Sequence, residues 1–132
     1  MIIGIGNDLV DARRIAKVLE RHGDRFLNRC FTEHEQKKAQ SRLKAGTNIN
    51  VLAKRFAAKE ACAKALGTGF GTVAMKDIGV VEDEAGKPTL VLKNEALQAL
   101  QTRIPAGMSP RLHLSLSDEP PLAQAFVIIE AV

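Results

Sequence analysis

The stretch RFAAKEACAKALGTGFG, residues 55–71, decides how the rest of this sequence is interpreted. Alanine is the strongest helix former, and the alanines here predict a long helix over about residues 50–66. Gly67 follows the last helical position and is the residue type that most often ends a helix. Because alanine side chains are small, neighbouring elements can pack closely, so we expect this helix to lie at the centre of the fold.

Glu60 is the residue of this helix that raises a functional question. Phe56, Glu60 and Lys64 follow one another at intervals of four, so they share a helical face. If that face is only solvated, Glu60 and Lys64 form an ion pair worth a few tenths of a kcal/mol. In a central helix Glu60 is partly buried, and a buried carboxylate needs a cation or hydrogen bonds. Mg²⁺ meets that need with one or two carboxylates; Asp8, at the end of the first strand, is the second candidate ligand, and Lys64 could then hold a phosphate.

The glycines after the helix, in GTGFG, resemble a phosphate loop only superficially. In phosphate loops the glycines precede a helix, so that its free N–H groups face the anion, whereas here they follow one. We interpret Gly67 mainly as a helix cap, with a flexible loop beside a cofactor as the alternative.

Local patterns predict the remaining elements, and their order favours an α+β fold over a doubly wound parallel sheet. Period-two alternation marks the strand over residues 113–117, apolar runs bounded by turn residues mark the others, and capping residues mark the helix starts at Asp11, Thr32 and Asn94. The predicted elements are a strand over residues 1–10 in which Gly4 and Gly6 mark close backbone approach, a helix from Asp11 to about residue 22, a helical turn over 26–31, a helix opened by a capping box at 32–35 and reaching about residue 43, strands over 77–82 and 89–92, a helix capped by Asn94, and strands over 113–117 and 123–130.

Length and composition narrow the class of protein. A chain of 132 residues predicts a single domain over residues 1–132. Two cysteines, Cys30 and Cys62, are too few for a disulfide framework or a zinc finger, and Cys62 is interpreted as a core residue. No apolar run reaches the roughly 18 residues of a membrane span, and the first residues lack the pattern of a signal peptide. We therefore expect no membrane association and a cytoplasmic location.

The positive charge suggests an anionic partner without identifying it. Lys and Arg outnumber Asp and Glu by 19 to 15, for a net charge of +4, which suits nucleic acid, a nucleotide cofactor or an acidic protein. Single-strand binders rely on aromatic platforms, and this chain has five Phe but no Tyr or Trp. The sequence therefore argues against a nucleic-acid-binding domain.

Four segments, taken in order, resemble one known family. They are GIGND at residues 4–8, RFAAKEACAKALGTGFG at 55–71, GKP at 86–88 and HLSLSD at 113–118. Together they are similar to the holo-[acyl-carrier-protein] synthases, the small trimeric class of 4′-phosphopantetheinyl transferases, over nearly the whole chain. The resemblance implies a single domain of that fold, in which a mixed, mostly antiparallel sheet wraps around the long central helix.

The resemblance also implies a reaction. Enzymes of this kind transfer the 4′-phosphopantetheine arm of coenzyme A to a serine of apo-acyl carrier protein, in fatty acid biosynthesis. Adenosine 3′,5′-bisphosphate leaves, and Mg²⁺ is required. Phosphoryl transfer of this kind needs positioning and charge neutralisation more than covalent help.

By matched position, the resemblance implies roles for individual residues. Asp8 and Glu60 are the metal ligands and, with Lys64, the catalytic residues; Lys64 also contacts the coenzyme's phosphate. The other residues expected beside the coenzyme are Gly67, Pro88 and His113. The proton of the attacking serine goes to Glu60, to a metal-bound water or to a nearby group, and the sequence does not choose among them. Ser117 and Asp118 stand near His113 where the family often has threonine or serine, so the role of Asp118 is open.

The first helix carries a stripe of basic residues, at positions 14, 17 and 21. Such a stripe is usually the wet face of an amphipathic helix. Acyl carrier proteins are acidic, and Arg14 and Arg21 match the positions that receive the carrier in the resembled family. That family is a homotrimer with its sites between subunits, so residues of one site can come from two chains. A catalytically silent carrier-binding subunit is the alternative, and intact Asp8 and Glu60 argue against it.

Overall fold

The computed structural model of this protein describes residues 1–69 and 71–132. Phe70, in the glycine-rich end of the stretch quoted above, lies outside the described residues. No helix in the described part of the chain is both long enough and apolar enough to cross a membrane. The elements, in chain order, are β1 (Ile2–Asp11), α1 (Ala12–His22), α2 (Asp24–Cys30), α3 (Glu33–Ser41), α4 (Asn48–Leu66), a 3₁₀ turn (Met75–Asp77), β2 (Ile78–Glu82), β3 (Pro88–Leu92), α5 (Asn94–Arg103), β4 (Pro110–Glu119) and β5 (Leu122–Ala131).

The strands form two antiparallel sheets. The larger sheet has the order β1-β5-β4, and β2 and β3 form a separate hairpin. In the larger sheet Asp8 pairs with Ala125, which in turn pairs with Leu116. Burial alternates along β5, so one face of this sheet lies against the core and the other faces outward.

Helix α4 lies at the centre, as its alanines predict. It packs on the larger sheet and also contacts α3 and β2. The contact with β1 depends on glycine: a Cβ atom built on Gly6 would lie 1.7 Å from the carbonyl oxygen of Ala61, and one on Gly4 would lie 2.0 Å from that of Ala65. No larger residue fits at either position without moving the backbone. The predicted close approach at Gly4 and Gly6 is confirmed, and it brings the end of β1 against the last turns of α4.

Most helix boundaries follow the predicted caps. The side chain of Asp11 accepts a hydrogen bond from the backbone of Arg13 at the start of α1. Thr32 and Glu35 form the reciprocal capping box of α3, and Gly67 ends α4 in the left-handed conformation with φ of 75°. These signals are local, so they can be read from a few adjacent residues.

The predicted cap at Asn94 is wrong. Lys93 is the N-cap of α5, and Asn94 is the first helical residue, with φ of 50°. The side chain of Asn94 instead donates a hydrogen bond to Asp77, 3.0 Å away, in the 3₁₀ turn. Asn94 therefore follows the cap position, and its amide nitrogen links α5 to the 3₁₀ turn.

Candidate functional site

Asp8 and Lys64 meet where β1 crosses α4. Asp8 lies on the face of β1 that packs against α4, and its side chain is 15% exposed. The ammonium nitrogen of Lys64 lies 3.1 Å from Oδ1 of Asp8 and donates to the carbonyl of Asn7 at 2.9 Å. Glu60 lies one turn before Lys64 on the same helix. Asp8 and Glu60, about fifty positions apart in the sequence, are therefore close together in the fold.

The predicted ion pair between Glu60 and Lys64 is replaced by a tertiary one. Lys64 pairs with Asp8, and among the described residues Glu60 has no ion-pair partner. Burial raises the pKa of Glu60, the negative charge of Asp8 raises it further, and Lys64 only partly opposes them. Two neighbouring carboxylates therefore lie near one ammonium, which pairs with Asp8, and this place is short of positive charge.

This donor set fits a divalent cation with oxygen ligands. Asp8 and Glu60 supply two carboxylates, and in the described part of the chain no group of three acidic, His or Cys residues is gathered that could enclose an ion completely. Mg²⁺ typically takes one or two carboxylates and fills its remaining positions with water and phosphate oxygens. The raised pKa of Glu60 beside Asp8 is the electrostatic strain that such an ion relieves.

Lys59, the residue before Glu60, is completely buried, which the sequence analysis did not anticipate. Its ammonium lies 2.7 Å from Oε1 of Glu35, and both side chains are 0% exposed. Burial lowers the pKa of Lys59, and Glu35 opposes that shift. The signal that could have revealed this burial is the position of Lys59 between Ala58 and the buried turn at Ala61–Cys62 of a central helix.

Gly67 and Pro88 lie in two different places. The backbone N–H of Gly67 bonds to the carbonyls of Ala63 and Lys64, which places it less than one turn beyond Lys64. Arg103 donates to the neighbouring carbonyl of Leu66 at 2.6 Å and so holds this helix end. Pro88 instead lines a cavity of about 460 Å³ at the other end of α4.

The cavity at Pro88, here called the basic cavity, is lined by several cationic side chains. Arg55 is 5% exposed and its NH2 lies 2.5 Å from Oε1 of Glu82, while its Nε has no hydrogen-bond partner among the described residues. Burial raises the pKa of Glu82, but hydrogen bonds from His34, from the backbone and from Arg55 outweigh it and lower that pKa to about 2. The other charged residues of the lining are Lys38, Arg42, Lys54 and Asp118.

His113 does not join Asp8 and Glu60 within one chain. It lies on the outward face of β4, where its ring nitrogen is 3.1 Å from Glu130. Asp8 lies on the opposite face of the same sheet. On the outward face the exposed apolar side chains are Ile5, Leu9, Leu122 and Phe126.

The basic stripe lies on α1 as expected. Arg14 and Arg21 are exposed, while Ile15 on the opposite side of the helix is buried. Next to the stripe is an apolar groove of about 440 Å³, here called the α1 groove, which is lined by Val18, His22, Arg25, Phe26, Arg29, Cys30, Phe56 and Met75. Phe56 connects this groove to the helical face that carries Glu60.

Comparisons with known proteins identify the family of this chain. The model of the 4′-phosphopantetheinyl transferase superfamily matches residues 4–116. The chain is 58% identical to a holo-[acyl-carrier-protein] synthase of Nitrobacter winogradskyi, over 99% of this chain and 96% of the relative. It is 56% identical to one of Rhizobium leguminosarum, over 100% of this chain and 97% of the relative.

Solved structures show the same fold. The holo-[acyl-carrier-protein] synthase of Neisseria meningitidis superposes with a TM-score of 0.83 at 41% identity, over 98% of this chain and 99% of the other. The enzyme of Bacillus anthracis, in complex with CoA (3′,5′-ADP), superposes with a TM-score of 0.76 at 38% identity, over 98% and 96% of the two chains.

Proposed function

This chain belongs to the 4′-phosphopantetheinyl transferase superfamily, and we propose that it transfers the 4′-phosphopantetheine arm of coenzyme A to a serine of apo-acyl carrier protein at Asp8, Glu60 and Lys64. The observation that carries the assignment of the site is the pair of carboxylates, Asp8 and Glu60, that shares a single ammonium. Two carboxylates short of positive charge fit a site for Mg²⁺ and a pyrophosphate.

Each of the three residues has a distinct task in this proposal. Asp8 and Glu60 would hold Mg²⁺, which would supply the positive charge that neutralises the pyrophosphate and the leaving bisphosphate. Lys64, with a side chain 55% exposed, turns its ammonium to a phosphate oxygen of the coenzyme. The serine oxygen forms a bond to the phosphorus of the arm as the bond from that phosphorus to the bridging oxygen breaks. The proton of the serine passes to water or to a nearby base. That role is not assigned to Glu60, because a bound cation would lower the pKa that burial and Asp8 raise.

The 3′-phosphate of the coenzyme, which is its anionic group besides the pyrophosphate, is proposed to bind in the basic cavity. Arg55, Lys38, Arg42 and Lys54 supply positive charge there, and the unpaired buried Nε of Arg55 offers a donor. Pro88 lines the same cavity, which accounts for its match to a position near the coenzyme. Gly67, just beyond Lys64, is proposed to lie beside the phosphates.

We propose a homotrimer in which the outward face of the larger sheet is buried between copies. Ile5 and Leu9 are 55% and 61% exposed on that face, and Phe126 is 41% exposed, which is a large apolar surface to leave in water. His113 lies on this face, so an interface there brings His113 of one copy toward the coenzyme bound by another.

The carrier is proposed to dock on α1, with Arg14 and Arg21 facing its acidic surface and its apolar side chains in the α1 groove. The groove combines an apolar floor, formed by Val18, Phe26 and Phe56, with a basic rim, which complements an acidic partner. We propose a cytoplasmic location, with which the two free cysteines, Cys30 and Cys62, are compatible.

Mass spectrometry of apo carrier tests the proposed function. With coenzyme A and Mg²⁺, the wild-type protein should add the mass of one phosphopantetheine arm to the carrier, and chelation should stop the gain. Glu60→Gln should slow the gain by about 10²-fold or more, because a ligand that balances the transition-state charge is lost. Glu33→Gln, which changes an exposed carboxylate on α3, serves as the control and should keep the wild-type rate. Normal turnover in Glu60→Gln would contradict the assignment of the site.

A further inference from the structure

The buried pair of Lys59 and Glu35 forms a completely satisfied polar network. The ammonium of Lys59 bonds to Oε1 of Glu35 at 2.7 Å and donates to the carbonyls of Ile78 at 2.6 Å and Met75 at 3.1 Å. Oε1 of Glu35 also accepts from the backbone of Thr32 at 2.8 Å. Its Oε2 accepts from the backbone of Val80 at 2.7 Å. All three donors of the ammonium and both oxygens of the carboxylate are therefore used.

Stability alone is a weak reason for such a network. Removing two charges from water costs about as much as their attraction returns, so apolar residues of the same volume often serve the fold equally well. Apolar contacts, however, do not fix the orientation of the groups that make them. A fully satisfied ion pair holds the groups around it at fixed distances and angles.

The groups that Lys59 holds lie at the two ends of the 3₁₀ turn. Met75 begins the turn, Asp77 ends it, and Ile78 follows as the first residue of β2. The turn packs against α2, and its first residue, Met75, lines the α1 groove together with Phe26 and Phe56. One side chain of α4 therefore sets the distance between the helix that carries Glu60 and the wall of the groove beside it.

We propose that Lys59 and Glu35 are positioning residues for the transfer reaction: by fixing the backbone of Met75 against α4, they shape the α1 groove in which the carrier docks next to Glu60. This inference rests on the proposed function, because it assumes that the groove receives the carrier. It makes Lys59, which touches neither substrate, a determinant of carrier recognition. The coenzyme's proposed contacts, at Lys64 and in the basic cavity, do not involve the turn.

The test is a double variant, Glu35→Gln with Lys59→Met, because Lys59→Met alone leaves a buried carboxylate without its partner and can prevent folding. The glutamine carries no charge and keeps one acceptor oxygen, which can serve the backbone N–H of Thr32 or that of Val80 but not both. The control is Leu100→Ala, which opens a cavity where α5 packs on the core and lowers stability at a residue that does not line the groove. Both variants are assayed well below their melting temperatures.

Steady-state kinetics separate positioning from stability. In the double variant the KM for the carrier should rise by about 10-fold, equivalent to roughly 1.4 kcal/mol, while the KM for coenzyme A stays within about twofold. The ¹³C methyl resonance of Met75 should also shift or broaden. In Leu100→Ala both KM values and the Met75 resonance should remain as in the wild type.

Any other result contradicts either this inference or the proposed function on which it rests. Wild-type KM values in the double variant, or an equal rise in both, would show that the network does not act on the carrier. An unchanged Met75 resonance would show that it does not hold the turn. No transfer by the wild-type protein would instead refute the proposed function, which the same experiment detects first.

Discussion

Lys59 and Lys64 lie five residues apart on α4, but their ammonium groups differ in burial and in how fully the protein pairs them. Lys59 is 0% exposed, and Glu35 and two backbone carbonyls satisfy its ammonium. Lys64 is 55% exposed and shares its charge between Asp8 and the neighbourhood of Glu60. The first cluster is closed and needs nothing from outside, whereas the second is deficient in positive charge.

The difference shows how a structural charge cluster can be distinguished from a binding site. Buried charges persist in a fold only when the protein itself satisfies them. Carboxylates that the protein leaves partly unsatisfied, at the surface and beside a flexible cation, mark a place where a ligand completes the set. By this criterion Glu35 binds no ligand itself, and we propose Glu60 as a residue of the reaction site.

The largest expected effect comes from making the same substitution in both lysines. Lys59→Met should lower the free energy of unfolding by about 3–5 kcal/mol, because it leaves Glu35 charged and buried. Lys64→Met should change it by no more than about 1 kcal/mol, since exposed ion pairs contribute little. Urea unfolding at pH 7 measures both values. Transfer activity should be lost in Lys64→Met despite its stability, and equal destabilisation by the two substitutions would remove the distinction between the clusters.

A smaller effect is expected in the pH dependence of stability, where two carboxylates shift in opposite directions. The pKa of Glu82 is lowered from 4.5 to about 2, so its stabilising contribution, up to about 3 kcal/mol, is complete above pH 4.5 and disappears as the pH falls toward 2. The pKa of Glu60 is raised, so its ionisation opposes folding, and that cost appears as the pH rises through its folded pKa.

Unfolding measured without divalent ions across this pH range checks both signs. Glu82→Gln should flatten the acid limb of the stability profile. Glu60→Gln should be no less stable than the parent at pH 7. A Glu82→Gln profile identical to that of the parent would contradict the role assigned to Arg55 as the partner of Glu82.

The smallest effect is expected on α1, where the charges of Arg14 and Arg21 are exposed. Arg14→Glu should leave stability nearly unchanged and raise the KM for the carrier by about 10-fold, with little change in the KM for coenzyme A. Added salt should narrow the gap between variant and parent, because screening weakens exposed charges. Arg13→Glu is not a suitable control, since Arg13 pairs with the capping residue Asp11; Lys37→Glu on α3 is preferable. An equal effect of Arg14→Glu on both substrates would argue against docking at the stripe.

Local signals in the sequence were sufficient for most of the fold. Three helix ends are defined by hydrogen bonds between residues no more than four positions apart, at Asp11, at Thr32 with Glu35, and at Gly67. Both partners of each bond are therefore visible in a short segment of sequence. Gly4 and Gly6 indicated a close approach, although the sequence did not name the helix that approaches. The prediction for Asn94 was wrong: Lys93 is the N-cap, and the amide nitrogen of Asn94 bonds to Asp77, seventeen positions away, which no local pattern indicates.

What the sequence determined by itself is therefore the order and type of the elements, the central alanine-rich helix and, through the four matched segments, the family. Only the tertiary structure decided which charges meet: Lys64 with Asp8 rather than with Glu60, and Lys59 with Glu35 in the interior. The physical reason is that an ion pair depends on distance and burial. In a helix both depend on which other elements pack against each face, and no spacing along the chain contains that information.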